Sequence, residues 1–149
     1  MALLDPRNTT LLVIDVQEKL LPAIWERERV VANVTKLLRL AQILGLKTVP
    51  TTQYCRGLGA TVPEIAGLLD REPLDKTSFG CFGDPRITAE LSGTLLVTGI
   101  ETHICVCQTV LGALEAGPHG NDVMTDLLAP GVRRPPLPEA VDRLLEAGP

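Results

Sequence analysis

Two rhythms of apolar and polar positions alternate along this chain. Residues 11–16 (LLVIDV) and 95–98 (LLVT) are short, almost unbroken apolar runs. Such runs belong to strands covered on both faces of a parallel sheet. Residues 47–51 predict a third, short strand, and 74–77 a strand end. Between these runs the period lengthens. Residues 29–44 put Val30, Val34, Leu37, Leu38, Ala41 and Leu44 on one helical face, with Gly45 as the C-cap. Residues 103–115 predict a second long helix whose apolar set is Ile104, Cys107, Val110, Leu111 and Leu114. Shorter helices are expected at 63–69 and 86–91, a loop or short helix at 20–25, and loops at 56–61 and 78–85.

Strand alternating with helix implies an α/β protein: a three-layer, Rossmann-like fold with a central parallel sheet and helices on both faces. We read residues 1–149 as one domain, since no repeat, low-complexity tract or composition break divides them. The last third is less regular. Gly and Pro crowd residues 117–120, only Val123 and Met124 look strand-like, and Pro130, Pro135, Pro136 and Pro138 follow. The C-terminal edge of the sheet is therefore expected to be short or missing. A closing helix is expected at 137–147, with Ala140, Val141, Leu144 and Leu145 inward.

Composition narrows the partners. The net charge of −4 carries no basic block, and aromatic residues make up only 3%. Nucleic acid and anionic membrane are thus not expected as partners. No apolar run approaches the roughly 20 residues that span a bilayer. Four cysteines without a secretory apolar region imply reduced thiols in the cytoplasm. A small-molecule substrate fits this profile best.

The chemistry gathers where strands end, because parallel sheets place functional groups beyond their carboxyl edges. Asp15 closes one apolar strand. Gly99 and Ile100 close another, and Cys105 follows in the first turn of the next helix. A helix N-terminus favours thiolate over thiol, which would make Cys105 a nucleophile. A cysteine can also be a small buried hydrophobe, and Asp15 could simply cap the following segment. Cys107, by contrast, falls on the apolar stripe and is expected in the core. Lys76, in a loop after Asp75, gains meaning only if the fold brings it to Asp15 and Cys105. His103 lies two residues from Cys105, too poor a spacing on a helix for a Cys–His dyad. It is expected to line a substrate or face solvent. Cys105 and Cys107 lack zinc-ligand spacing, the only histidines are His103 and His119, and no phosphate-binding glycine loop occurs. Neither metal nor cofactor is expected.

At these residues the chain resembles the isochorismatase-like cysteine hydrolases. The segments that carry the likeness are LLVIDVQEKLLPAI (11–24), RVVANVTKLLRLAQILG (29–45), QYCRGLGATVPE (53–64), DKTSFGCFGDP (75–85) and GIETHICVCQT (99–109). The resemblance implies an Asp–Lys–Cys triad falling on Asp15, Lys76 and Cys105. It also implies a cis peptide between Ile100 and Glu101, and an oxyanion hole from the backbone N–H groups of Glu101 and Cys105. Gln17, Tyr54, Phe79, Phe82 and His103 would line the substrate pocket beside Glu101. A homo-oligomer is expected as well. Because the cysteine is present, the resemblance points to cleavage of an amide-like C–N bond through a thioester. A non-catalytic binding or oligomerisation module and a redox-sensing thiol protein are the alternatives.

Overall fold

The computed structural model describes residues 4–116 and 123–125. After a 3-10 turn at Pro6–Asn8 comes β1 (Thr9–Ile14), every residue of which is buried. A second 3-10 turn (Leu21–Ala23) leads to α1 (Arg27–Leu44) and then β2 (Lys47–Gln53). Two single-turn helices, α2 (Cys55–Leu58) and α3 (Pro63–Ala66), precede β3 (Leu74–Lys76). A 3-10 turn at Cys81–Gly83 and α4 (Pro85–Thr88) lead into β4 (Thr94–Gly99). A π-turn at Thr102–Val106 runs directly into α5 (Cys107–Glu115), and β5 (Val123–Thr125) follows.

The five strands lie in the order β3-β2-β1-β4-β5, and every neighbouring pair is parallel. Unbroken burial fits β1's place at the centre, because only a strand roofed on both faces can bury six residues in a row. One face packs Leu11, Val13 and Ile100 against Val30, Val34, Leu38 and Ala41 of α1. The other packs Leu12, Ile14, Val49, Leu95 and Val97 against Ile87, Cys105, Val106 and Ala113. The expected α/β architecture is therefore present. The edge strand exists with three residues, while the closing helix expected at 137–147 lies outside the described residues.

The inward face of α5 differs from its hydrophobic pattern. Cys105, Val106, Thr109 and Ala113 are buried, whereas Cys107, Leu111 and Leu114 are exposed. Once Cys105 turns inward, helical spacing carries in the residues four and eight further on. Cys107 therefore lies outside the core, on the opposite side, with the two leucines. Leu44 of α1 is exposed too, in the last turn before Gly45 closes the helix in a left-handed conformation.

Candidate active site

Backbone geometry at the carboxyl edge of the sheet departs from the ordinary. Asp15 (φ 52°) and Tyr54 (φ 42°) both adopt left-handed conformations immediately after β1 and β2. Non-glycine residues visit this region rarely, and such outliers gather where function demands a particular side-chain direction. At the end of β4 the chain passes so close to β1 that a Cβ on Gly99 would lie 2.1 Å from the Ile14 carbonyl oxygen. Only glycine fits there. The next peptide bond, Ile100–Glu101, is cis.

Asp15, Lys76 and Cys105 meet at this edge. Lys76 Nζ donates to Asp15 Oδ2 at 2.7 Å, to Gln53 Oε1 at 2.8 Å and to the Phe79 carbonyl at 3.0 Å. Both partners of this ion pair have side chains with no solvent exposure. The second oxygen, Asp15 Oδ1, accepts from the Thr51 hydroxyl at 2.8 Å. Three acceptors thus satisfy all three ammonium protons, as a buried cation requires. Gln53 is itself held by its Nε2, which donates to the Thr77 carbonyl at 2.9 Å.

Cys105 is 5% exposed and close enough to Asp15 for the carboxylate to act on the thiol by charge and by hydrogen bonding. Burial, then the Asp15 charge and hydrogen bond, push the thiol up to about 12. Lys76 and the Glu101 backbone N–H, which faces the sulfur, pull the other way and are outweighed. Burial and the carboxylate thus outweigh the pull toward thiolate expected of a helix N-terminus. The dipole of one turn is weak beside desolvation and an adjacent carboxylate. The resting site is an Asp15–Lys76 ion pair beside a neutral thiol.

The residues expected around a substrate divide. Tyr54 and Phe79 are about half exposed, and Phe82 packs part of its ring against the core that contains Cys105. The His103 ring stands in solvent, 3.7 Å from the Glu101 carboxylate. Gln17 departs from the expectation. It is 0% exposed, donates to the carbonyls of Gly59 (2.7 Å) and Gln53 (3.2 Å), and accepts from the Gln53 N–H (2.7 Å). Its amide is spent on tying β2 to Gly59, and the side chain is out of a ligand's reach. Sequence pattern alone does not single out Thr51, Gln53 or Thr109. The signal that could have found the first two is Thr-Thr-Gln at the end of a strand roofed on both faces, where each polar group must find a partner.

Residues 9–119 match the family model of the isochorismatase domain. The chain belongs to the isochorismatase domain family. Isochorismatase domain-containing protein 2 of Bos taurus is 35% identical over 117 residues, 75% of this chain and 55% of that protein. The chain thus spans about half the length of the curated relatives it matches. Among solved structures, one titled MAR1 ribonuclease from Caenorhabditis elegans is 33% identical (TM-score 0.77; 86% of this chain, 67% of that one). Two YcaC proteins share this isochorismatase-type architecture. That of Escherichia coli, described as an octameric hydrolase of unknown specificity, is 27% identical (TM-score 0.77; 97% and 74%). That of Pseudomonas aeruginosa, solved with covalent acrylamide, is 26% identical (TM-score 0.77; 97% and 75%).

Proposed function

We propose that this chain is a cysteine hydrolase that cleaves an amide-like C–N bond of a small molecule, using Asp15, Lys76 and Cys105. The observation that carries this reading is the fully buried Lys76–Asp15 ion pair set against the Cys105 thiol. Burying two charges is expensive, and a protein gains little stability from doing so. Charges placed against a nucleophile are a recurrent reason for accepting that cost.

With the thiol protonated at rest, attack and proton transfer occur together. Cys105 Sγ bonds to the carbonyl carbon while its proton passes to Asp15, and Lys76 keeps that carboxylate oriented. Negative charge moves to the substrate oxygen, which the Glu101 and Cys105 N–H groups stabilise. Each such donor contributes about 3–4 kcal/mol in comparable sites. Asp15 then hands the proton to the departing nitrogen, leaving a thioester. Water attacks the thioester as Asp15 takes one of its protons. The acid leaves, and the sulfur recovers its hydrogen. Covalent acrylamide on a YcaC relative supports a reactive nucleophile in the family.

The same reading includes a cytoplasmic setting, a small-molecule substrate without nucleic-acid or membrane partners, no cofactor, and a homo-oligomer. The octameric relative supports the last point, and among the described residues no helix is long and apolar enough to cross a membrane. The test is ammonia release from a panel of small primary amides, with the Cys105→Ala protein as blank and mass spectrometry for the thioester. Turnover by the native chain alone, with an acyl adduct on Cys105, is expected. Absence of turnover on every amide, or cleavage of RNA in its place, would overturn it.

A second reading has one observation in its favour. A thiol held at about 12 beside a carboxylate is quiet at neutral pH, as a binding module's would be. Ligand binding that survives Cys105→Ala, with no adduct ever formed, would favour that module.

A further inference from the structure

The loop after Lys76 returns to the nucleophile's helix by a route that the triad does not use. Phe79 offers its carbonyl to Lys76 Nζ. Two residues later, the Cys81 N–H donates to Thr109 Oγ1 at 3.0 Å, and that hydroxyl donates in turn to the Cys105 carbonyl at 2.6 Å. Thr109 and Cys81 are both 0% exposed. A hydroxyl has a single proton, so this one is fully committed: it gives to the nucleophile's residue and receives from the Lys76 loop.

Two glycines let loop and helix close to this distance. A Cβ on Gly80 would lie 3.2 Å from the Gln108 carbonyl oxygen, and one on Gly112 would lie 2.9 Å from Phe82 Cβ. The Cys81 side chain lies against both the Thr109 and Thr51 hydroxyls. Thr51 is the group that donates to Asp15. Asp15 and Cys105 are therefore within two contacts of the Thr109–Cys81 junction, and Lys76 is joined to it through Phe79 and the backbone from 79 to 81.

We propose that Thr109 is a positioning residue that sets the depth and direction of Cys105 relative to Asp15 and Lys76 by clasping the nucleophile's turn to the Lys76 loop. The proposal rests on the reading of Cys105 as nucleophile. A π-turn is wider than an α-turn and uncommon, so a contact from outside the turn is a natural means of fixing its side chains. The bland alternative is that Thr109 only bonds back to a carbonyl four residues earlier, as helical threonines often do. On that alternative its loss would cost stability and leave the thiol's behaviour alone.

The test reads alkylation of Cys105 by iodoacetamide, resolved by peptide mass spectrometry in a Cys107→Ser background. Thr109→Val keeps the shape and removes the hydroxyl, while Thr109→Ser restores it. Burial and Asp15 hold the thiol high, so loosening the clasp lowers its midpoint. A fall of about one pH unit means about tenfold faster alkylation at pH 9 or so, where thiolate is scarce. Thr109→Ser is expected to stay within about twofold of the native rate. Amide hydrogen exchange in β1 is the control, because general loosening of the fold would speed exchange in the central strand as well. An unchanged Cys105 rate in Thr109→Val, a serine variant that behaves like the valine, or β1 exchange that rises in step would each overturn the proposal. If Thr109→Val does not fold, Gly112→Ala pries at the same contact from the Phe82 side, and it must accelerate Cys105 selectively. Hydrolysis by Cys105→Ala would sink the nucleophile reading alone and leave the alkylation result standing.

Discussion

The two ends of this sheet each hold a carboxylate with a cation, and they use it differently. At the amino end, Glu90 accepts from Lys47 (2.8 Å) and Arg71 (3.1 Å), with every side chain about one-third or more exposed. At the carboxyl end, Asp15 and Lys76 meet at 2.7 Å with no exposure at all. Water screens the first cluster, so it adds little and can be lost cheaply. Nothing screens the second, so either partner left alone is a buried charge without compensation. The lesson is that distance does not rank ion pairs. Solvent does, and the pair that solvent cannot reach is the one beside a thiol.

The widest gap between the two ends should appear in stability. Lys76→Met strands Asp15 and is expected to cost about 3–5 kcal/mol by chemical denaturation. Adding Asp15→Asn to that variant should recover most of the loss. If Lys76→Met unfolds at the native denaturant concentration, the carboxyl-end pair is no different in kind from the surface one.

Next comes reactivity. Asp15 raises the Cys105 thiol by charge and hydrogen bond, so Asp15→Asn should lower it and make Cys105 alkylate faster at neutral pH. The same substitution removes the proposed base and should cut amide turnover by a factor of about 10² or more. Faster labelling together with slower turnover is the signature. Both falling together would mean that Asp15 draws the proton from the thiol even without substrate.

The smallest effect belongs to Glu90. Its carboxyl is lowered to about 2, first by the Arg71 hydrogen bond and then by Lys47. A depressed carboxylate stabilises the folded state above its unfolded value near 4.5, and that contribution fades as pH falls through about 2. Glu90→Gln should therefore lower neutral-pH stability only slightly, because water screens the cluster, and flatten the acid limb of a stability–pH curve by that same small amount. A clear loss at pH 7 would show that the surface cluster carries more than its exposure to water allows.

How much could be read in advance follows the same division. Apolar runs announce β1 and β4, whereas β2 buries all but its first residue behind a largely polar sequence, KTVPTTQ. Asp15 and Cys105 were legible from their places after strand ends. The role of Lys76 came only from family resemblance, since nothing local says which charged loop residue will be folded inward. Cys107 deceived because hydrophobic periodicity cannot see which residue is pinned first; once Cys105 faces inward, its neighbour two positions on must face out. The protonation state of Cys105 was illegible for a related reason. Desolvation and the Asp15 charge are properties of three segments at once. Gln17, which the resemblance puts at the substrate, is instead taken up by backbone groups 36 and 42 positions away.

β3 has three residues, too few ladder bonds to choose their own alignment, yet a shift by one would turn Lys76 to the opposite face. Its neighbour prevents this: the Asp75 carboxylate takes the Thr52 hydroxyl at 2.9 Å and the Cys55 N–H at 2.8 Å, while Arg86 holds its carbonyl at 2.7 Å. The whereabouts of the interior ammonium are thus decided by an outward-facing acid that never meets it. A search for variants with altered chemistry would do well to begin at that peg.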